Sequence, residues 1–207
     1  MTSFRTMALI DLLDAFASNE PVPGGGSAAA LAGALGTSLL IMVAGLPKTR
    51  TGAPEEAADL AEAAARLRPL RDWLVELVDD DSRAYAEVVD AMRLPRATDG
   101  DRDRRRAAID AAMLGATRVP LDTMRCCQQA LRGAVVVATY GNPKAATDTG
   151  AAVELLVAAL RAADMNVAVN VKSVSDAAFA ERAAVERVQL TADGEADAAR
   201  ARTALRT

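Results

Sequence analysis

Residues 27–46, SAAALAGALGTSLLIMVAGL, run for twenty positions without a charged side chain. The segment is framed by Pro21-Val22-Pro23-Gly24-Gly25-Gly26 on one side and by Pro47 on the other. Neither flank can propagate a helix, so the stretch reads as one helix with Ser27 at its cap. Twenty uncharged residues are about long enough to cross a bilayer. Most of them are small, however, and no aromatic belt flanks them, so the segment reads as a core helix buried on all sides. Small residues recur four apart, Ala29 with Gly33 and Ala32 with Gly36, which lets a neighbouring backbone come close. A helix apolar all round needs a jacket of other helices, and the rest of the chain has to supply it.

The composition agrees. Of 207 residues, 51% are apolar and only 3% aromatic, so the core is built from Ala, Leu, Val and Met. These favour helices, whereas strands would call for more β-branched and aromatic residues. The expected fold is all-α, an up-and-down bundle of long helices in a single domain spanning 1–207. The pattern predicts a first helix over 4–17, with Met7, Ile10, Leu13 and Phe16 near one face. After the core helix comes the basic loop Lys48-Thr49-Arg50-Thr51-Gly52, then a long helix from Pro54 to Leu94 that Pro69 kinks or divides. Thr98 with Asp101 is a weak relative of the capping box. It opens a helix disturbed at Pro120 that resumes to Ala138. Tyr140-Gly141-Asn142-Pro143 is a break. A helix follows from Thr147 through Ala163, with Asn166–Val171 read as its continuation. The last helix opens at Ser175-Asp176, and its polar tail from Asp193 is expected to fray.

Charge and residue types narrow the function. The formal net charge is -4, and no basic stripe with interleaved aromatics supports nucleic-acid binding. The charge run Asp101 to Arg106 reads as a solvated helix face. No histidine occurs, which removes the most common general base and metal ligand. Cys126-Cys127 forms neither a disulfide framework nor a metal spacing and belongs in the core. Trp73 and Tyr85 read as packing residues. The N-terminus lacks a signal-peptide run, so the cytoplasm is the expected location and no membrane partner is expected.

Three features exceed what packing needs. Asp81 falls within the stripe Leu74, Leu77, Val78, Tyr85, Val88 and Met92, where a carboxylate must be paired or hydrogen-bonded. It is either a buried structural bond to a cap or an arginine, or a carboxylate lining a pocket. Its neighbours Asp79 and Asp80 point elsewhere and read as solvated. Asp148 shares a helical face with Asn166 and, nearly, Asn170, which suggests a polar seam, although Asp148 alone could serve as a helix cap. Gly24-Gly25-Gly26-Ser27 opens a helix, either as a tight turn or as a backbone cradle for a ligand. No lysine follows as in a P-loop, and no strand precedes it.

These motifs occur together in one family. Pro21-x-Pro23-Gly24-Gly25-Gly26-Ser27-Ala28-Ala29 resembles the entry motif of the formiminotetrahydrofolate cyclodeaminase and methenyltetrahydrofolate cyclohydrolase family. Asp81-x-x-Ala84-Tyr85 with Leu94-Pro95-Arg96 resembles its second motif, and Val119-Pro120-Leu121 its third. Gly141-Asn142, Asp148, Gly150 and Asn166-Val167-x-Val169-Asn170 resemble the fourth. The chain departs from the family at Leu46-Pro47-Lys48-Thr49-Arg50-Thr51-Gly52, at Thr147 and at Ala151.

The resemblance implies a self-associating helical domain, expected as a homodimer, with the folate site near the dimer interface and no cofactor beyond a tetrahydrofolate substrate. It implies hydrolysis of 5,10-methenyl-tetrahydrofolate to the 10-formyl form or, alternatively, loss of ammonia from the 5-formimino form. A folate-binding scaffold without catalysis is the alternative of another class. Asp81 and Asp148 are the expected catalytic carboxylates. Asn142, Asn166 and Asn170 are expected on the pterin edge, the amides of Gly24, Gly25, Gly26 and Ser27 against the ligand, and Lys48 or Arg50 at the glutamate tail.

Overall fold

A computed structural model describes residues 3–206 and is helical throughout, with no strand among the described residues. A 3-10 turn at Phe4–Thr6 precedes α1 (Leu9–Ala17). Four helices follow: α2 (Gly25–Ala44), α3 (Pro54–Arg93), α4 (Asp99–Tyr140) and α5 (Ala146–Asn170). α6 (Ala177–Ala204) closes the chain. From α2 onward each helix packs on the next in the chain, which is the up-and-down order, and α4 touches α2, α3, α5 and α6.

The twenty-residue α2 is apolar enough to cross a membrane by composition, yet it lies packed against α3, α4 and α5. Its small residues explain how. A Cβ on Gly33 would lie 3.0 Å from Cys127 Sγ, and one on Gly36 would lie 2.9 Å from the Ala152 carbonyl oxygen. The four-residue spacing therefore lets α3, α4 and α5 approach closely, with Leu40, Leu74, Met124, Leu131, Leu156 and Leu160 filling the space between them. Cys126 and Cys127 are both buried in this core, and burial pushes the Cys126 thiol up to about 12, far from a reactive thiolate.

Several sequence expectations change. Pro69 and Pro120 interrupt neither α3 nor α4, each of which is one helix of about sixty ångströms at 1.5 Å per residue. The first helix splits into the 3-10 turn and α1, and of the residues expected near one face, Ile10 and Leu13 stand exposed while Met7 and Phe16 are partly buried. Asp79 is not free in solvent: it accepts from Ser3 Oγ at 2.6 Å and from the Phe4 amide at 2.7 Å, pinning the N-terminal turn to α3. Trp73 is half-exposed instead of packed. The weak capping box is complete: the Thr98 hydroxyl accepts from the Asp101 amide and the Asp101 carboxylate accepts from the Thr98 amide. The tail after Asp193 stays helical to Ala204 because Asp197, Ala198 and Ala201 are buried and Gly194 lies against Leu160 and Leu131.

Candidate active site

α2 begins at Gly25, two residues before the expected cap, and Gly24 at the cap position offers no side chain. The helix start is capped instead from α3. Asp81 Oδ2 accepts from the Ser27 amide at 2.8 Å and lies 3.0 Å from the Ser27 hydroxyl. A carboxylate is stabilising at a helix N-terminus, where unpaired amides and the helix dipole both favour negative charge. The geometry fixes Gly26: a Cβ there would sit 2.0 Å from Asp81 Oδ1. Ser27, expected as cap and ligand contact, is fully buried and directed at α3, where its hydroxyl also lies 2.8 Å from the Val78 carbonyl oxygen.

Beyond this contact opens a cavity of about 340 Å³. Its walls are the Pro21–Gly24 loop, Gly25 and Gly26 of α2, Asp81 and Tyr85 of α3, Ala116 of α4, and Asn166 and Asn170 of α5. Asp81 therefore satisfies both readings left open by the sequence: it caps a helix and it lines a pocket. Burial raises its pKa above the usual carboxylate range, and the Ser27 hydroxyl and amide pull it part of the way back. Tyr85, read from the sequence as a packing residue, stands half-exposed in the wall.

The two asparagines have defined orientations. Asn166 Nδ2 donates to the Ala162 carbonyl at 3.0 Å, and Asn170 Nδ2 donates to the Ala116 carbonyl at 2.7 Å. A carbonyl only accepts, so each amide nitrogen faces the backbone and each side-chain oxygen remains an acceptor. The walls thus offer the Asp81 carboxylate and two amide oxygens as acceptors. In the same wall, the first-turn amides of Gly25 and Gly26 have no helical partner of their own. Such a site selects a flat, donor-rich, cationic group that also carries an acceptor. A Cβ on Gly25 would meet nothing within 4 Å, so the protein's own packing leaves that position open.

The remaining expected site residues lie elsewhere. Asp148 is in the first turn of α5 and Asn166 is eighteen residues further along the same helix, about 27 Å at 1.5 Å per residue. Within one chain the structure does not bring Asp148 to Asp81. Asn142 accepts from the Lys144 amide at 3.0 Å and caps a 3-10 turn. The Arg50 guanidinium donates to the Ala138 carbonyl at 2.8 Å and the Ala204 carbonyl at 3.3 Å, tying together the ends of α4 and α6. Lys48 is exposed in the same loop, which is wound around Glu56 by bonds from the Thr49 hydroxyl and the Thr51 amide. These residues gather where α4 ends and α5 begins, away from the Asp81 cavity. A larger groove of about 670 Å³ lies between α3 and α4. Its charged residues, including Asp59, Glu62, Arg66 and Arg132, are all exposed, so nothing there tunes an acid or base as burial tunes Asp81.

Fold and site together define an all-helical protein that closes a small acid-bearing cavity around one helix start. The chain belongs to the formiminotransferase-cyclodeaminase family, whose sequence profile matches residues 8–189. It is 40% identical over 181 residues to a methenyltetrahydrofolate cyclohydrolase of Methylorubrum extorquens, a match covering 87% of each chain. It is 30% identical over 165 residues to the formimidoyltransferase-cyclodeaminase of Gallus gallus, covering 80% of this chain and 30% of that longer protein. The crystal structure of formiminotetrahydrofolate cyclodeaminase from Thermotoga maritima superposes with a TM-score of 0.86 at 25% identity, over 97% of this chain and 96% of that one.

Proposed function

We propose that this protein is a folate one-carbon enzyme that hydrolyses 5,10-methenyl-tetrahydrofolate to 10-formyl-tetrahydrofolate at the Asp81 cavity. The observation that carries the reading is a part-buried carboxylate, the one acidic side chain in the cavity wall among the described residues, in a wall that also carries Asn166 and Asn170. The 40% identical cyclohydrolase, matched along most of its length, supports the same reaction. The methenyl bridge is an amidinium cation, and a carboxylate in a poorly solvated wall attracts it and stabilises it. The asparagine oxygens accept from the amino and ring N–H groups of the pterin, and the free Gly25 and Gly26 amides donate to its carbonyl. A cavity of this size suits the bicyclic head and leaves the glutamate tail outside.

One carboxylate can serve both proton transfers. Water adds to the methenyl carbon while Asp81 Oδ1, the oxygen not held by Ser27, takes a proton from it. The resulting carbinolamine collapses with cleavage of its bond to N5: Asp81 returns its proton to N5, and the carbinol hydroxyl loses its own proton to solvent as the formyl C=O forms. One water is consumed, one C–N bond is broken, and one proton is released as the cation becomes a neutral formamide. Neither histidine nor Asp148 is required within the protomer.

Cyclodeamination of the 5-formimino substrate is the second reading, favoured by the fold match to the Thermotoga maritima enzyme. The test follows loss of the methenyl absorbance alongside ammonia release from formimino-tetrahydrofolate, each against spontaneous rates. Enzyme-dependent methenyl loss without ammonia release is expected. Ammonia release alone, or folate binding with no turnover, overturns the assignment.

The molecule is also proposed to work as a homodimer. α1 presents Leu9, Ile10 and Leu13 outward at 71%, 64% and 51% exposure, immediately before the loop that lines the cavity. Three large apolar side chains on one short helix are a cost to an isolated chain, and a second copy would remove them from water.

A further inference from the structure

The side chain behind Asp81 is Ser82, which is fully buried and takes no part in the cavity wall. Its hydroxyl lies 3.1 Å from Ser27 Oγ, and that is its sole hydrogen-bond contact among the described residues. Ser27 Oγ in turn has three oxygen neighbours: Val78 O at 2.8 Å, Asp81 Oδ2 at 3.0 Å and Ser82 Oγ at 3.1 Å. A serine hydroxyl has one hydrogen and two lone pairs. The Val78 carbonyl only accepts, as does an ionised Asp81, so the Ser27 hydrogen goes to one of them. With Asp81 ionised, either serine being able to donate on geometry alone, the hydrogen between them is assigned to Ser82.

Two proton arrangements satisfy every group. With Asp81 ionised, Ser82 donates to Ser27 and Ser27 donates to Asp81. With Asp81 protonated, the acid donates to Ser27 Oγ, the Ser27 hydrogen swings to Val78 O, and Ser82 continues to donate. Ser82 thus holds the Ser27 oxygen in both states, and in the ionised one its donation polarises the Ser27 O–H toward the carboxylate.

We propose that Ser82 is a positioning residue that acts through Ser27 to set the protonation balance of Asp81, keeping the acid ionised for the proton transfer it performs. The importance for turnover rests on Asp81 being the catalytic carboxylate; the chain of hydrogen bonds does not. Few other charges bear on the group. The Pro21–Gly24 loop, α2, α4 and α5 bring no ionisable side chain to the cavity wall, and α3 brings Tyr85. On the same turn of α3, Asp79 is engaged with Ser3 and Phe4, and Asp80 pairs with Arg83.

The test is a carboxyl ¹³C NMR titration of the ligand-free, aspartate-labelled protein, with the Asp81 signal identified by its loss in Asp81→Asn. Ser82→Ala and Ser27→Ala are compared singly and together. Alanine is a good helix former and both sites are small, so the helices persist. The Asp81 midpoint is expected to move to higher pH in Ser82→Ala and further in Ser27→Ala, and the double variant is expected to match Ser27→Ala alone. The acidic limb of the pH–rate profile should move in parallel, with KM little changed. An unmoved midpoint in Ser82→Ala, or a Ser82 effect that persists in the Ser27→Ala background, overturns the proposal. Absence of methenyl turnover in the wild type would refute the assigned reaction, whereas the titration decides the role of Ser82 on its own.

Discussion

One carbon atom separates the roles of Gly25 and Gly26. A methyl group on Gly26 would collide with Asp81, whereas one on Gly25 would enter open space at the cavity wall. Gly25→Ala should therefore keep or slightly raise the melting temperature, since alanine is favoured over glycine in a helix by about 1 kcal/mol. It should raise KM for the folate at least about tenfold, the effect of a methyl placed where a ligand needs the backbone. Gly26→Ala should lose stability as well, by about 1–3 kcal/mol, because the carboxylate cap has to move. Melting curves and steady-state kinetics on the two variants separate these roles. The three glycines are legible as a unit in the sequence, but the reason for each is not. Gly26 answers to a side chain 55 residues away, a contact that no local pattern encodes. The same holds for Ser27, whose local look of a helix cap is overridden by a carboxylate arriving from α3. Asp81 stands out in the sequence because a charge on an apolar stripe is a contradiction. Tyr85 and Ser82 do not, because an aromatic or a serine at such a position contradicts nothing.

The elements are easier to read than the site. α2 follows from the Pro-Gly frame and the absence of charge, and its Ala/Gly spacing foretells how closely its neighbours approach. The departures have physical causes. Pro69 and Pro120 lie within helices of 40 and 42 residues, where packing on both sides outweighs the loss of one hydrogen bond. The tail of α6 looks polar because its buried stripe is made of Gly194, Asp197, Ala198 and Ala201, with no large apolar side chain to mark it. Asn166–Val171 reads as a helix continuation, and α5 does run to Asn170, with a 3-10 turn from Val171. The last turn of α5 places two amides beside α4, where the Ala116 carbonyl orients one of them.

At the scale of the whole molecule, the bundle separates two groups of residues that the motifs put together. The Gly24–Gly26 start, Asp81, Asn166 and Asn170 share one cavity. Asn142, Asp148, Lys48 and Arg50 lie where α4 ends and α5 begins, and Arg50 there ties helix ends together. Sequence order cannot reveal this, since a 25-residue helix carries the two halves of the fourth motif at its opposite ends. The outward face of α1 belongs to the same scale. If the proposed homodimer forms through this face, Ile10→Arg should leave the helical content unchanged and yield a monomer, where the wild type is a dimer, in size-exclusion chromatography with light scattering. A dimeric Ile10→Arg protein, or a monomeric wild type, would remove α1 from the interface.

If a single carboxylate in this cavity carries the proton transfers, Asp81→Asn removes them while leaving the fold in place. Asparagine retains an oxygen to accept from the Ser27 amide, so the helix start stays capped. Burial raises the folded-state pKa of Asp81, so its stabilising contribution is complete below the unfolded-state value and is lost as pH rises through the folded-state value. The variant is spared that loss, and its stability relative to wild type should improve from acid to neutral pH. The Asp81→Asn protein is expected to fold and to lose enzyme-dependent turnover of the methenyl absorbance by about 100-fold or more, the scale of general acid–base catalysis. A folded variant that turns over methenyl-tetrahydrofolate at the wild-type rate would contradict it.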